Sequence, residues 1–514
     1  MTSRRHFLGG SLAVLSAGAS PRWLGAAVPR FDRDPFTLGV ASGYPTDQSV
    51  VLWTRLAPSP LEPGGGVPPV IVPVEWEIAA DDKMQRIVQR GTYFASPDWA
   101  HSVHVEPAGL EPAREYWYRF IAGGYRSPIG RTYTAPRVGA PQARLRIAVA
   151  SCQQYEHGYY TAYRQMMADN VDLIVHTGDY IYEMSWGESK VRAHGSPECY
   201  TLEDYRARYA LYKSDPHLAA AHASCPWLVT WDDHEVDNDY AGAVSEENDP
   251  PELFLARRAA AYRAYYEHMP LPRRAVPSGA HMRLYAQRAF GDLVALHMLD
   301  QRQYRSPIAC PPPGRRGAWS VSNCPELQDS SRTKLGAAQE EWLFAALGSS
   351  RARWNLLAQG TVMAHIDEDP GPGHTYWTDG WNGYPAARDR LVNFLAESRV
   401  RNPVVLSGDI HAFIVSGLRR QATNPDSPVV APELVTTSIT SDALPQERLD
   451  EWSAINPNLQ FASSEHRGYL RLDVTPTQLR ADLIAMESVK TAQSAARAVR
   501  SFVIEDGRPL PVPA

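Results

Sequence analysis

"VDLIVHTGDYIYE", residues 171–183, decides the architecture. Leu173 to His176 is a compact apolar run, too short for a helix and suited to a strand buried on both faces, and it stops at Thr177-Gly178 with a carboxylate immediately behind. The same order of events recurs in "LRIAVASC" (145–152), "WLVTWDDHE" (227–235), "LVALHMLDQRQYR" (293–305), "WNLLAQGTVMAH" (354–365) and "PVVLSGDIHAF" (403–413). Helical patterns such as "YYTAYRQMMADN" (159–170) and "RLVNFLAES" (390–398) lie between them, so the chain reads as an α/β unit whose polar groups gather at strand ends. "GYLRLDVTPTQLRADLIAM" (468–486) predicts two further strands.

Upstream the pattern changes. "SVVLWTRL", "VIVPVEWEIAA", "HSVHVEPAG" and "REYWYRFIAGG" are short strand-like runs divided by Pro/Gly turns, predicting a small all-β, immunoglobulin- or fibronectin-like sandwich over 28–137. The Pro-, Gly- and Ala-rich stretch 132–146 has the composition of a linker between independently packed units, with the second domain occupying 138–514. At the start, Arg4-Arg5 precedes Phe7-Leu8 and a mildly apolar, Ala/Gly/Ser-rich stretch. This reads as a twin-arginine export signal over 1–27, recognised by the twin-arginine translocation machinery. The apolar run is interrupted by Pro21 and Arg22 and is shorter than the roughly 20 residues of a membrane anchor, so a monomeric periplasmic or secreted protein is expected.

The net charge of -6 offers no broad basic surface for nucleic acid. In an exported protein the five cysteines invite pairing and leave one over. Cys310 with Cys324 is one candidate pair and Cys199 with Cys225 another, with connectivity open and Cys152 left for another task.

Cys152, Asp179 and Tyr182, Asp233 and His234, and Asp409 and His411 all follow buried-strand patterns. Each alone is a turn residue or a core histidine or cysteine. Together, in one domain, they place several carboxylates where burial without cations would be prohibitive, which points to metal binding.

The set "SCQQYEHGYYTAYRQM", "GDYIYE", "WDDHEVDNDY" and "LSGDIHAF", with the twin-arginine leader and an amino-terminal sandwich, closely resembles the PhoD-like alkaline phosphatases of the metallophosphoesterase superfamily. That resemblance runs through almost the whole mature chain. It implies a four-layer αββα sandwich carrying ferric iron and one or two calcium ions that hydrolyses phosphate esters by way of a metal-bound hydroxide. Residue by residue, it implies that Asp179 and Tyr182 are the ligands of the "GDxxY" motif, that Cys152 is the ligand after the first strand, and that His411 is the distal histidine. Asp233 and Asp409 stand where many related phosphoesterases carry neutral ligands. Ligand chemistry agrees: thiolate, phenolate and imidazole suit iron, or less well zinc, whereas carboxylates suit calcium, and Asp179 can bridge. Asp232 and Asn238 are candidate extra ligands or supports.

His234 is the candidate catalytic proton or hydrogen-bond donor, the alternative being an orienter of Asp233. Arg302 and Arg305 can clamp phosphate or pair with local carboxylates. Gln359 suits hydrogen bonding better than ligation, and Asp379, Trp381 and Tyr384 can line the substrate entrance or, equally well, form a packed aromatic loop. The functional expectation is an exported alkaline phosphatase acting on phosphomonoesters, phosphodiesters or both, in phosphate acquisition. The alternatives are a phospholipase D-type phosphodiesterase and a non-catalytic surface binding protein with a structural metal.

Overall fold

A ten-stranded sheet and a seven-stranded sheet form the body of the computed structural model, which describes residues 30–514. The export signal predicted over 1–27 lies outside the described residues. In the larger sheet Leu145–Ala150, Leu173–His176 and Pro226–Val229 run parallel and adjacent. In the smaller one Val294–Met298, Trp354–Ala358, Pro403–Ser407 and Val429–Val435 do the same. Parallel pairing places the carboxyl ends of each set along one edge, which is where the polar residues of the motifs fall.

The two sheets share one apolar core. Leu356, Leu406 and Leu434 of the smaller sheet join the cluster that holds Ile147, Val149 and Leu470 of the larger. Their sequence neighbours Leu357, Val405 and Val435 point the other way, into a second cluster with Leu343, Leu391 and Leu449 on helices Ala337–Ser349, Pro385–Glu397 and Gln446–Ile455. This two-residue alternation between two buried faces explains why the strands read as unbroken apolar runs. On the larger sheet Trp227 meets Tyr163 of helix Thr161–Ala168 and stacks on His222 of helix Pro216–Ser224. Thr230 Oγ1 donates to the Leu299 carbonyl at 2.7 Å, and Thr436 Oγ1 to the Val149 carbonyl at 3.1 Å, tying the sheets together near the strand ends.

The amino-terminal region departs from the expected free-standing sandwich. Val72–Ala79, Ile87–Ala95 and Glu115–Ala122 do form a separate sheet. Its partner layer, however, is Val40–Gly43, Val51–Arg55 and Ser102–Val105, and this layer continues the ten-stranded sheet, with Ser42 and Gly43 in register with Pro226 and Trp227. The expected linker is ordered structure as well: Gly130–Tyr133 is a strand, and Ala135 is buried in the main core. An open edge on the strand Pro226–Val229 would expose unpaired backbone groups, and the amino-terminal strands cover it.

Gly468–Val474 and Gln478–Met486 extend the other end of the large sheet, as the sequence predicts. Cys310 and Cys324 form a disulfide. The alternative second pair is not made: Cys199 and Cys225 are separate buried thiols, as is Cys152. No helix among the described residues is long and apolar enough to cross a membrane.

Candidate metal centre

Four of the positions singled out in the sequence adopt backbone angles that side chains other than glycine rarely take: Cys152 (φ 58°), Asp179 (φ 56°), Asp409 (φ 70°) and His411 (φ 58°). Such residues cost about 1–3 kcal/mol each and persist where surrounding structure and function require them. Here the effect is to turn each side chain sharply off its strand end toward a common point. Gly178 makes the approach possible, because at φ 125° an added Cβ would come within 2.5 Å of the Asp232 backbone nitrogen.

The donor atoms fall into overlapping sets. Cys152, Asp179 and His411 offer ligand atoms within 4.8 Å of one another, as do Asp179, Asp233 and His234, and again Asp232, Asp233 and Asp409. Asp179 belongs to the first two sets and Asp233 to the last two, so soft donors grade into hard ones across a continuous cluster. The Tyr182 phenol lies 3.1 Å from Asp179 Oδ2 and 3.2 Å from His411 Nε2, which places it with the soft end. Asp179 Oδ1 and Asp232 Oδ2 are buried without a hydrogen-bond partner. Asp233 Oδ1 has the Arg302 guanidinium at 3.3 Å but outside hydrogen-bonding geometry. Orphaned carboxylate oxygens at this depth fit cations.

Electrostatics agree. Burial, then the neighbouring Asp233, pushes the Asp179 carboxyl well above the usual carboxylate range. Burial and then Asp232 do the same to Asp409, and burial with Asp179 beside them raises both the Cys152 thiol and the Tyr182 phenol. Burial also lowers His411, to about 3, keeping it a neutral imidazole. These groups resist ionising together in the protein alone, and added positive charge reverses that balance. His234 is the exception: burial opposes its charge, but Glu183, Asp233 and Asp179 outweigh burial and hold it well above an ordinary imidazole.

The supporting residues account for the crowded acids of "WDDHEVDNDY". Glu235 accepts the backbone N–H groups of Asp179, Tyr180 and Asp232 at 3.1, 2.6 and 2.8 Å. Asp233 Oδ2 accepts the Asp239 N–H at 2.7 Å, and Asp237 pairs with Arg257 at 2.8 Å. Asn238 donates its side-chain amide to Glu246 at 3.0 Å, so it serves as a support.

Arg302 does not present a phosphate clamp. It is fully buried, pairs with Asp232 and meets Asp379 through both terminal nitrogens at 2.7 and 2.8 Å. Arg305 is likewise buried against Asp379 and the Asp239 and Tyr240 carbonyls. Asp379, Trp381 and Tyr384 are buried as well, and therefore support the site from behind instead of lining an entrance. Gln359 hydrogen-bonds Ser407 at 3.0 Å and Trp381 at 2.8 Å, in keeping with its expected role.

Sequence reasoning missed three positions. Glu183 accepts from His234 Nδ1 at 2.8 Å. Ser441 Oγ lies 2.8 Å from both the Tyr182 phenol oxygen and the Cys152 carbonyl, and the Asp442 carbonyl accepts from His411 Nδ1 at 2.6 Å. Glu183 closes the quoted "GDYIYE" and was open to suspicion there. Asp442 acts through a carbonyl that any residue supplies, so its side chain carried no signal.

Residues 22–136 match the family described as PhoD-like phosphatase, N-terminal domain, and residues 147–483 match PhoD-like phosphatase. Alkaline phosphatase D of Bacillus subtilis (strain 168) is 46% identical over 517 residues, spanning 98% of this chain and 87% of that protein. A solved structure described as "Structure of PhoD" superposes with a TM-score of 0.91 at 46% identity, covering 95% of this chain and 93% of that one. Similarity over nearly the full length sets aside a purely binding role: the chain is a phosphoric ester hydrolase and belongs to the PhoD-like phosphatase family.

Proposed function

We propose that this hydrolase is an exported, metal-dependent alkaline phosphatase acting on phosphomonoesters, phosphodiesters or both, in phosphate acquisition. The observation that carries the reading is the continuous run of donors from Cys152, Tyr182 and His411, through Asp179, to Asp233, Asp409 and Asp232. Thiolate, phenolate and imidazole suit one ferric ion, and zinc less well; the carboxylate end suits one or two calcium ions. When bound, such cations acidify water and offset the charge of phosphoryl oxygens.

The chain's own residues supply the rest. Ser441 holds the Tyr182 oxygen, and the Asp442 carbonyl fixes the ring of His411 so that Nε2 faces the cluster. His234, held through Nδ1 by Glu183, is partly exposed and directs its other nitrogen to the phosphate or leaving oxygen as hydrogen-bond or proton donor. The wider reading includes a twin-arginine leader over 1–27 directing periplasmic or secreted export, and a four-layer αββα catalytic unit over 138–514 whose larger sheet is extended by strands from 28–137.

Metal analysis of protein purified without added metals, read together with its visible spectrum, tests the proposal. Iron with a violet phenolate charge-transfer band, and phosphatase activity lost on calcium chelation and restored by calcium, are expected. Colourless, active protein holding stoichiometric zinc would overturn the metal assignment.

A further inference from the structure

A cavity of about 580 Å³ opens against one side of the metal centre, with Asp409 and His411 in its wall. Its volume lies within the range of small-molecule sites. Its remaining walls are unusually apolar for a phosphate-handling site, with Trp186, Ile366, Trp377, Leu444 and Trp452 among them. Two of these are conspicuous: Trp377 and Leu444 are each 42% exposed, leaving large apolar surface in water beside the reacting centre. Removing this remaining apolar area from water is favourable, so a ligand that covers both gains from it.

The wall cannot simply collapse to cover itself. Trp377 belongs to a two-stranded ribbon in which Thr375–Trp377 pairs with Ser320–Ser322. The Cys310–Cys324 disulfide closes the loop that carries Ser320–Ser322, two residues beyond that strand, and Trp319 and Thr378 exchange hydrogen bonds at 3.0 and 2.9 Å at the ribbon's end. Nor does the cavity welcome a second anionic group. Among the described residues Arg448 is the one Lys or Arg in its wall, and its guanidinium already has the Glu368 carboxylate at 3.8 Å.

We infer that this cavity is the subsite for the esterified organic group, and that Trp377 and Leu444 select phosphate esters whose organic arm is apolar, aryl or alkyl, over esters of polyols and sugars. The inference rests on the proposed phosphoesterase reading and names its substrate class.

The test uses the metal-loaded full chain with three methyl phosphodiesters bearing phenyl, octyl or glyceryl arms, comparing the parent with Trp377→Ser and Leu444→Ser. Both side chains are exposed, and unchanged melting temperatures and metal content establish that the variants are folded. Dividing each variant's kcat/KM by the parent's removes differences in leaving-group reactivity. The expected result is a loss of about tenfold or more on the phenyl or octyl ester relative to the glyceryl ester. A loss confined to one of the two identifies the arm as aromatic or aliphatic. Equal effects on all three esters would overturn the subsite while leaving the phosphoesterase reading intact. A metal-loaded parent that hydrolyses no phosphate ester overturns both.

Discussion

Buried Glu183 pairs with the partly exposed His234, Oε2 to Nδ1 at 2.8 Å, and the other oxygen of the same carboxylate accepts the Asn238 backbone N–H at 2.9 Å. A carboxylate anchored to the backbone in this way fixes both the orientation and the charge of the imidazole. His234→Ala should therefore lower kcat by about 10²–10⁴-fold with metal content retained. Glu183→Gln should lower it by about 10–100-fold. Steady-state kinetics with metal analysis check both, and metal lost together with activity would make His234 a ligand instead.

Arg302 is the internal counter-charge of the hard-oxygen end, touching Asp232, Asp233 and Asp379. Removing one partner from a buried ionic group typically costs about 3–5 kcal/mol. Arg302→Met should lower thermal stability by that order and weaken calcium retention. Lysine should not restore it, because it lacks the planar fork that meets two Asp379 oxygens. Calorimetry and calcium titration provide the readouts.

Gly178→Ala introduces a methyl group where an added Cβ lies 2.5 Å from both the Asp232 backbone nitrogen and its Cβ, at a φ of 125°. Both the close approach and the backbone angle exclude alanine without movement of the Asp179 turn. A loss of roughly 2 kcal/mol or more in stability and a fall in bound metal are expected. Chemical denaturation and metal content measure these effects.

Lys213 is buried over the Trp53 ring at 4.3 Å, and burial lowers its pKa to about 7. The unfolded chain still protonates this lysine near its ordinary value of about 10.4. Folding thus carries a penalty that is complete below about pH 7 and disappears as pH rises to about 10.4, amounting to roughly 5 kcal/mol at its largest. The parent should become more stable relative to Lys213→Met as pH increases from 7 to 10. Melting temperatures of the two proteins across that interval decide it; a constant difference would show that Lys213 stays charged.

Thiol titration of unfolded, unreduced, metal-free protein should find three reactive cysteines, Cys152, Cys199 and Cys225, beside the Cys310–Cys324 bridge. A single thiol would mean that Cys199 and Cys225 pair after all.

Much of the centre was legible because a short apolar run ending in Gly-Asp, Asp-His or Ser-Cys carries its meaning locally. Asp179, Asp233, Asp409 and His411 could be named from their strand ends, and their convergence follows from parallel pairing. Arg302 misled for an equally physical reason. A strand-end arginine looks the same in sequence whether it faces substrate or Asp379, which lies 77 residues away. The amino-terminal strands were recognisable by alternation and turns, but alternation does not say which edge a strand joins.

By itself, the sequence determined the strand pattern, the donor types and their gradation from sulfur and phenolate to carboxylate, because these depend on side-chain chemistry and short-range periodicity. Tertiary structure alone decided which acids face the centre, that Glu183 holds His234, that Cys199 and Cys225 stay apart, and that the first strands complete the large sheet. Those outcomes depend on long-range packing and on desolvation, which pairs each buried charge with whatever partner the fold brings within reach.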